Sequence, residues 1–168
     1  MNSQFLIEKL ESAEEFEKFI KGNPKAYLCS GFFDIDLNNE TESKFHFDFY
    51  IPESQKTFSF QLENEEIKPI ELERNDGRVL PKVFMTSEFD FDKIKEMIIQ
   101  EMESKKINNK IQKMIFSLQN IDGKDVLLGT IFLSGLGILK ANFEIAENKI
   151  VDFEKKSLFE MIKIIPKK

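Results

Sequence analysis

A weak internal repeat, which we call the sequence echo, constrains the fold of this chain more than any other feature of its sequence. The segment 58–67, FSFQLENEEI, is echoed about 83 residues later by the segment 139–150, LKANFEIAENKI. In each segment, alternating apolar residues lead into a turn with acidic residues and asparagine, and the chain then returns to isoleucine. A long-period echo of this kind predicts two copies of one supersecondary unit in tandem.

The first unit is predicted to begin with a helix and to continue as strands. Ser12 and Glu15 form a capping-box pattern, which predicts a helix that starts there and ends near Lys21. Residues 4–10 either extend this helix or form a separate lead-in. Strict alternation over 44–51, KFHFDFYI, predicts a strand with one buried face. The other strands of this unit are predicted at 26–37, 56–63 and 67–73.

The second unit is predicted to repeat this order of elements. Its helix spans about 88–106, where Ser87 is a candidate cap and the apolar residues share one face. A short final helix is expected at about 156–164. The four strands of this unit are predicted at about 110–119, 125–133, 138–146 and 149–154.

The segment 74–89 separates the two units. Its Asn75-Asp76-Gly77 turn and Pro81 break the strand alternation, but it is too apolar for a free tether. We therefore expect a first unit at 1–73, a packed linker at 74–89 and a second unit at 90–168.

The predicted fold class is α+β, a tandem repeat of two units that each contain a helix and a four-stranded antiparallel sheet. Two arrangements satisfy this order: two separate sheets, or one continuous curved sheet with the helices on one face. Each unit resembles the small PepSY and cystatin-like modules, in which a helix packs on a curled antiparallel sheet. No motif of those families is present, so the resemblance assigns no residue a role.

Composition narrows the possible partners. The formal net charge of −6 divides into −8 over residues 1–89 and +2 over residues 90–168, which disfavours nucleic acid and anionic membranes as partners. The one cysteine, Cys29, excludes an intrachain disulfide. The N-terminal residues lack the apolar core of a signal peptide, and polar residues interrupt the apolar run 126–145. A cytoplasmic location is expected.

One cluster of polar residues is a candidate metal site. Alternation places Asp34 with Asp36, and His46 with Asp48, on the polar faces of two strands joined by a short connection. Pairing centred on the 38–43 loop would set Asp34 opposite His46 or Asp48. Carboxylate oxygens and one imidazole suit Mg²⁺, Mn²⁺ or Ca²⁺ better than Zn²⁺. The alternative to a metal site is a solvated sheet face on which these charges are tolerated.

No catalytic motif or nucleotide-binding motif is present, and no cofactor is implied. We therefore expect a non-enzymatic protein-interaction or assembly module that binds a protein partner or a second copy of itself through an exposed sheet face or edge. The alternative is a small apolar ligand-binding protein with a cavity between helix and sheet. A third hypothesis is a divalent-metal-dependent enzyme at Asp34, Asp36, His46 and Asp48.

Overall fold

The described part of the chain folds into one antiparallel sheet of eight strands with three α-helices. The structure, a computed structural model, describes residues 1–73 and 76–157. The helices are α1 (Ser3–Glu11), α2 (Glu14–Gly22) and α3 (Phe91–Ser104). The strands are β1 (Tyr27–Asp36), β2 (Lys44–Ile51), β3 (Lys56–Gln61), β4 (Pro69–Leu72), β5 (Ile111–Ile121), β6 (Lys124–Leu133), β7 (Gly137–Glu144) and β8 (Lys149–Ser157).

The strand order across the sheet is β4-β3-β2-β1-β5-β6-β7-β8. β1 to β4 form one run of hairpins and β5 to β8 form another, and the two runs join where β1 pairs with β5 antiparallel. The predicted α+β class is confirmed, and the single continuous sheet is the correct arrangement. The alternative of two sheets is wrong, because pairing of β1 with β5 satisfies backbone groups that separate sheets would leave on two open edges.

All three helices contribute to one apolar core. On α2, Phe16 packs against Phe49 and Phe60, with ring centroids 5.1 Å apart in both contacts. On α3, Phe91 lies between Phe33 and Phe116, at 5.0 and 5.5 Å. Register places these strand phenylalanines on the same side of the sheet, so α2 and α3 cover one face. We call this the inner face and the opposite side the outer face.

The helix ends differ from two of the sequence predictions. Residues 4–10 belong to a separate helix, α1, and Ser12 caps its C-terminus by donating from Oγ to the carbonyl of Lys9. The predicted capping box is therefore wrong: α2 follows Ala13, which makes no side-chain capping bond. The predicted Ser87 cap is also wrong, because Asp90 accepts from the amides of the first turn of α3.

The segment after β4 contacts both halves of the sheet. The amide of Val83 donates to the carbonyl of Leu28 at 2.8 Å, and the side chain of Val83 is buried in the core. The Tyr27 hydroxyl donates to the carbonyl of Leu80 at 2.6 Å. The amides of Phe84 and Met85 donate to the carboxylate of Asp125 on β6.

Two predictions concern the C-terminal part and the membrane. The predicted helix at 156–164 is wrong for its first two residues, because β8 runs to Ser157. The rest of the predicted helix lies outside the described residues. Among the helices that the structure describes, none is both long enough and apolar enough to span a bilayer.

Candidate functional site

The four predicted metal ligands lie on β1 and β2, but the register differs from the predicted one. Asp34 opposes Lys44, and His46 opposes Phe32, whereas we expected Asp34 to oppose His46 or Asp48. The loop between the strands contains a 3₁₀ turn at Glu40–Glu42, which lengthens the connection. The alternation predicted the faces correctly, but the loop geometry set the register.

Asp34 and Asp36 are engaged with other groups. Asp34 Oδ2 accepts from Lys113 Nζ at 3.0 Å, and Asp34 Oδ1 is buried with no hydrogen-bond partner among the described residues. Asp36 Oδ1 accepts from the amides of Asn38 and Asn39 at 2.8 and 3.0 Å, so its carboxylate terminates β1. Both residues line an open polar cleft of about 430 Å³ at this end of the sheet.

The outer face of the same strands holds a compact polar cluster. Asp48 Oδ2 accepts from the Ser30 hydroxyl at 2.7 Å, and Asp48 Oδ1 lies 3.1 Å from His46 Nδ1. Ser59 Oγ lies 3.3 Å from the same nitrogen, and the His46 ring stacks on Phe32 with centroids 5.1 Å apart. Because an anionic carboxylate only accepts, Nδ1 carries the proton and donates to Asp48.

These contacts control the ionisation of Asp48. Burial alone would raise the pKa of this carboxyl. The hydrogen bonds from His46, Ser30 and Ser59, together with the positive charge that His46 carries when protonated, outweigh burial and hold the pKa below its ordinary value. Asp48 is therefore a stabilised anion, which makes it a weak base.

The cluster does not have the geometry of a serine-based catalytic triad. In a triad, the carboxylate binds one imidazole nitrogen and the serine hydroxyl binds the other. Here Asp48 and Ser59 both contact Nδ1, and Ser30 donates directly to the carboxylate. Neither serine is placed for activation by His46, so the arrangement is suited to holding three strands in register.

The arrangement also bears on the predicted metal site. Of the four predicted ligands, the structure brings together His46 and Asp48. Asp34 pairs with Lys113, and Asp36 accepts from the backbone amides of the following loop. In residues 1–73 and 76–157, no three or more Asp, Glu, His or Cys side chains are grouped so that they would hold a metal ion.

An exposed aromatic residue, Phe84, lies in the segment after β4, which the sequence analysis described only as too apolar for a free tether. Phe84 is 57% exposed, whereas the adjacent Val83 is 3% exposed. A cleft of about 390 Å³ separates this segment from α1. A second cleft of about 300 Å³ lies on the other side, against the ends of β6 and β7. We call Phe84 and these two clefts the Phe84 surface.

Asp125 on β6 fixes the backbone that presents this ring. Its carboxylate accepts from the amide of Phe84 at 3.1 Å and from the amide of Met85 at 2.8 Å. Asn120 donates to the same carboxylate at 3.0 Å. Met85 has a φ of +52°, in the left-handed region that residues other than glycine rarely occupy. The hydrogen bonds to Asp125 therefore hold Met85 in a conformation that costs free energy.

A third feature lies between α3 and the sheet. A groove of about 320 Å³ opens beside the N-terminal half of α3, near the ends of β1, β2 and β5. Polar and apolar surfaces contribute about equally to its walls, and the charged lining residues are Glu40, Asp92 and Lys95. The apolar lining residues are Met1, Ile35, Leu37, Phe45, Phe91 and Met114. We call it the α3 groove.

Comparison with known proteins bears on the fold alone. No protein-family model matches the chain, and no curated protein matches its sequence. A crystal structure of a "putative lipoprotein" from Clostridium difficile 630 has a similar fold, with a TM-score of 0.55. The similarity covers 83% of this chain and 89% of that one at 12% sequence identity. A crystal structure therefore contains a similar arrangement, and identity this low carries no role from one protein to the other.

Proposed function

We propose that this protein is a non-enzymatic interaction module that binds a protein partner through the Phe84 surface. The observation that carries the proposal is an aromatic ring, 57% exposed, on a backbone fixed by the Asp125 carboxylate. Exposed aromatic residues beside clefts are typical anchors of protein interfaces. A backbone that is already ordered loses less conformational entropy on binding, which favours affinity.

The sheet itself offers less for a partner to bind. Cross-strand ion pairs already neutralise charged residues of the outer face, at Lys113–Asp34, Lys124–Glu144 and Lys140–Asp152. At one edge of the described sheet, β8 carries several lysines, which protect an edge strand against pairing. We therefore propose that the partner binds the Phe84 surface, and not a sheet face or edge as the sequence led us to expect.

Photo-crosslinking tests this proposal in cells that express the full chain. Phe84 is replaced by p-benzoylphenylalanine, and the matched control carries the same replacement at Leu136, which is 59% exposed at the opposite end of β6. We expect discrete protein adducts from position 84 after irradiation and none of the same size from position 136. The same adducts from both positions, or none from position 84, would contradict the proposal.

The α3 groove supports a second candidate function, the binding of a small apolar ligand. Its volume of about 320 Å³ reaches the lower end of the size range of ligand pockets. The chain contains no tryptophan, so Phe45→Trp introduces a single reporter into the groove wall. We expect the apolar dye 1-anilinonaphthalene-8-sulfonate to quench this tryptophan saturably. A Phe5→Trp control, at a side chain 58% exposed on α1, should not respond in this way. Equal responses would exclude the groove.

We also propose that the chain is a tandem repeat. The strand order is symmetric about the β1–β5 pair, with four strands on each side, and this supports the proposal. The sequence echo also falls on corresponding strands, β3 in the first half and β7 in the second. If the halves are copies, the second unit alone, residues 90–168, should form a dimer in which β5 pairs with β5. A folded monomer in solution would contradict this proposal.

A further inference from the structure

We infer that the partner bound by the Phe84 surface is a second copy of this chain. This inference rests on the proposed function and names the partner for the same surface. Its basis is that the surface combines a protruding ring with the clefts beside it. In a two-fold dimer each surface meets its own copy, so one patch must supply both the protrusion and the cavity that receives it.

The shape of the surface meets this requirement. Phe84 is 57% exposed and forms part of the wall of both clefts. The cleft beside α1 is about 390 Å³, which leaves space for an incoming phenylalanine ring among Ile7, Leu28 and Met85. A two-fold rotation that places Phe84 of one copy in this cleft places the ring of the second copy in the cleft of the first.

Two charged side chains at this cleft are of opposite sign and can pair across a two-fold axis. Lys82 and Glu11 both line the cleft beside α1, and both side chains are exposed. In the part of the chain that the structure describes, neither forms an ion pair, and the Lys82 ammonium lies over the Phe84 ring, 5.6 Å from its centroid. A third charged residue, Glu88, also lines this cleft and accepts from Asn2 Nδ2 at 3.4 Å. When Lys82 of each copy meets Glu11 of the other, two ion pairs form across the interface that a single copy does not make.

The oligomeric state of the purified full chain tests the inference. Sedimentation equilibrium is measured from about 1 µM to about 1 mM, the range that covers weak interfaces of modest area. We expect a monomer–dimer equilibrium for the wild-type chain. Phe84→Ala should weaken dimerisation at least about tenfold, as truncation of a central aromatic anchor does. The control Leu136→Ala removes an equally exposed side chain elsewhere and should leave the dimerisation constant unchanged.

A charge-reversal pair tests which residues meet. Lys82→Glu and Glu11→Lys should each weaken dimerisation, because each places like charges together across the interface. The double variant restores opposite charges and should recover most of the wild-type dimerisation constant. Both residues are exposed, so these substitutions leave the core intact.

The outcomes separate this inference from the function on which it rests. A wild-type chain that stays monomeric up to about 1 mM would overturn the second copy as partner. So would a dimer that responds to Leu136→Ala as strongly as to Phe84→Ala. A double charge reversal that fails to restore dimerisation would overturn the pairing of Lys82 with Glu11 across the interface. Crosslinked adducts of a different protein at position 84, together with a monomeric chain, would preserve the interaction function and overturn only the self-association.

Discussion

Phe33 on β1 lies directly opposite Phe116 on β5 at the centre of the sheet, and neither side chain is exposed to solvent. The ring of Phe91, from the first turn of α3, lies within 5.5 Å of both. The two phenylalanines are 83 residues apart, the spacing that also separates Ile67 from Ile150 in the sequence echo. The pair joins the two halves of the chain, so the stability of the whole sheet should depend on it.

Truncation at this junction should be strongly destabilising. We expect Phe116→Ala to lower the free energy of unfolding by about 3–5 kcal/mol, because it leaves a cavity between α3 and the central strands. Phe5→Ala serves as the control, since that side chain is 58% exposed and should change stability by less than about 0.5 kcal/mol. Urea unfolding of both variants measures the difference. Similar midpoints would show that the central pair is not critical.

Gly129 on β6 should tolerate no side chain. A Cβ built there would lie 2.4 Å from the carbonyl oxygen of Ala141 and 2.8 Å from Phe116 Cε1. Because one of these atoms belongs to the backbone of the adjacent strand, relief requires the strands to separate. We expect Gly129→Ala to destabilise the protein by about 1–3 kcal/mol.

Gly22 provides the matched control. It is the last residue of α2, and a Cβ there would meet no atom of residues 1–73 and 76–157 within 4 Å. Gly22→Ala should be neutral or stabilise by up to about 1 kcal/mol, because alanine has the higher helix propensity. Thermal unfolding of the two variants distinguishes a packing effect from a general effect of replacing glycine. Equal shifts in melting temperature would contradict the packing argument.

The lowered pKa of Asp48 predicts a specific loss of stability in acid. In the unfolded chain an aspartate has a pKa of about 3.9, so the contribution of Asp48 is fully present above that value. As the pH falls through the lower pKa of the folded state, both states become protonated and the contribution disappears. The free energy of unfolding should therefore decrease from about pH 5 downwards.

Asp48→Asn isolates this contribution. We expect it to destabilise the protein at pH 7 by about 1–3 kcal/mol, because the charge-assisted hydrogen bonds to His46 and Ser30 are lost. Its stability should then fall less steeply in acid than that of the wild type. Asp152→Asn removes a carboxylate from an exposed ion pair with Lys140 and should cost less than about 1 kcal/mol. Parallel pH profiles for the wild type and Asp48→Asn would refute this role.

The sequence predicts the elements of this fold better than it predicts their contacts. Alternation over 44–51 identifies β2 with its correct bounds, because side chains that alternate between core and solvent carry that information themselves. The pairing of β1 with β5 is not encoded locally, since it joins segments that are about 80 residues apart. The register of Asp34 likewise depends on a 3₁₀ turn whose residues carry no distinctive pattern.

The candidate surface was less predictable for a physical reason. Val83 and Phe84 are adjacent apolar residues, and one is buried while the other is exposed. The difference arises from hydrogen bonds to Asp125, which is about 40 residues away in the chain and belongs to another strand. A single sequence shows that this segment is apolar, but it does not show which of its side chains faces solvent.

Removal of the Asp125 carboxylate should release the segment that carries Phe84. In Asp125→Ala the amides of Phe84 and Met85 lose their acceptor, and the left-handed backbone at Met85 loses the bonds that hold it. We expect faster hydrogen–deuterium exchange at these two amides and weaker dimerisation, because the ring is no longer held in one position. The amide of Val83, which donates to Leu28, should keep its protection. Asp152→Ala is the control for loss of a surface carboxylate and should leave exchange and dimerisation unchanged. If Asp125→Ala accelerates exchange while dimerisation stays at the wild-type level, the ordered backbone is not what makes Phe84 an effective anchor.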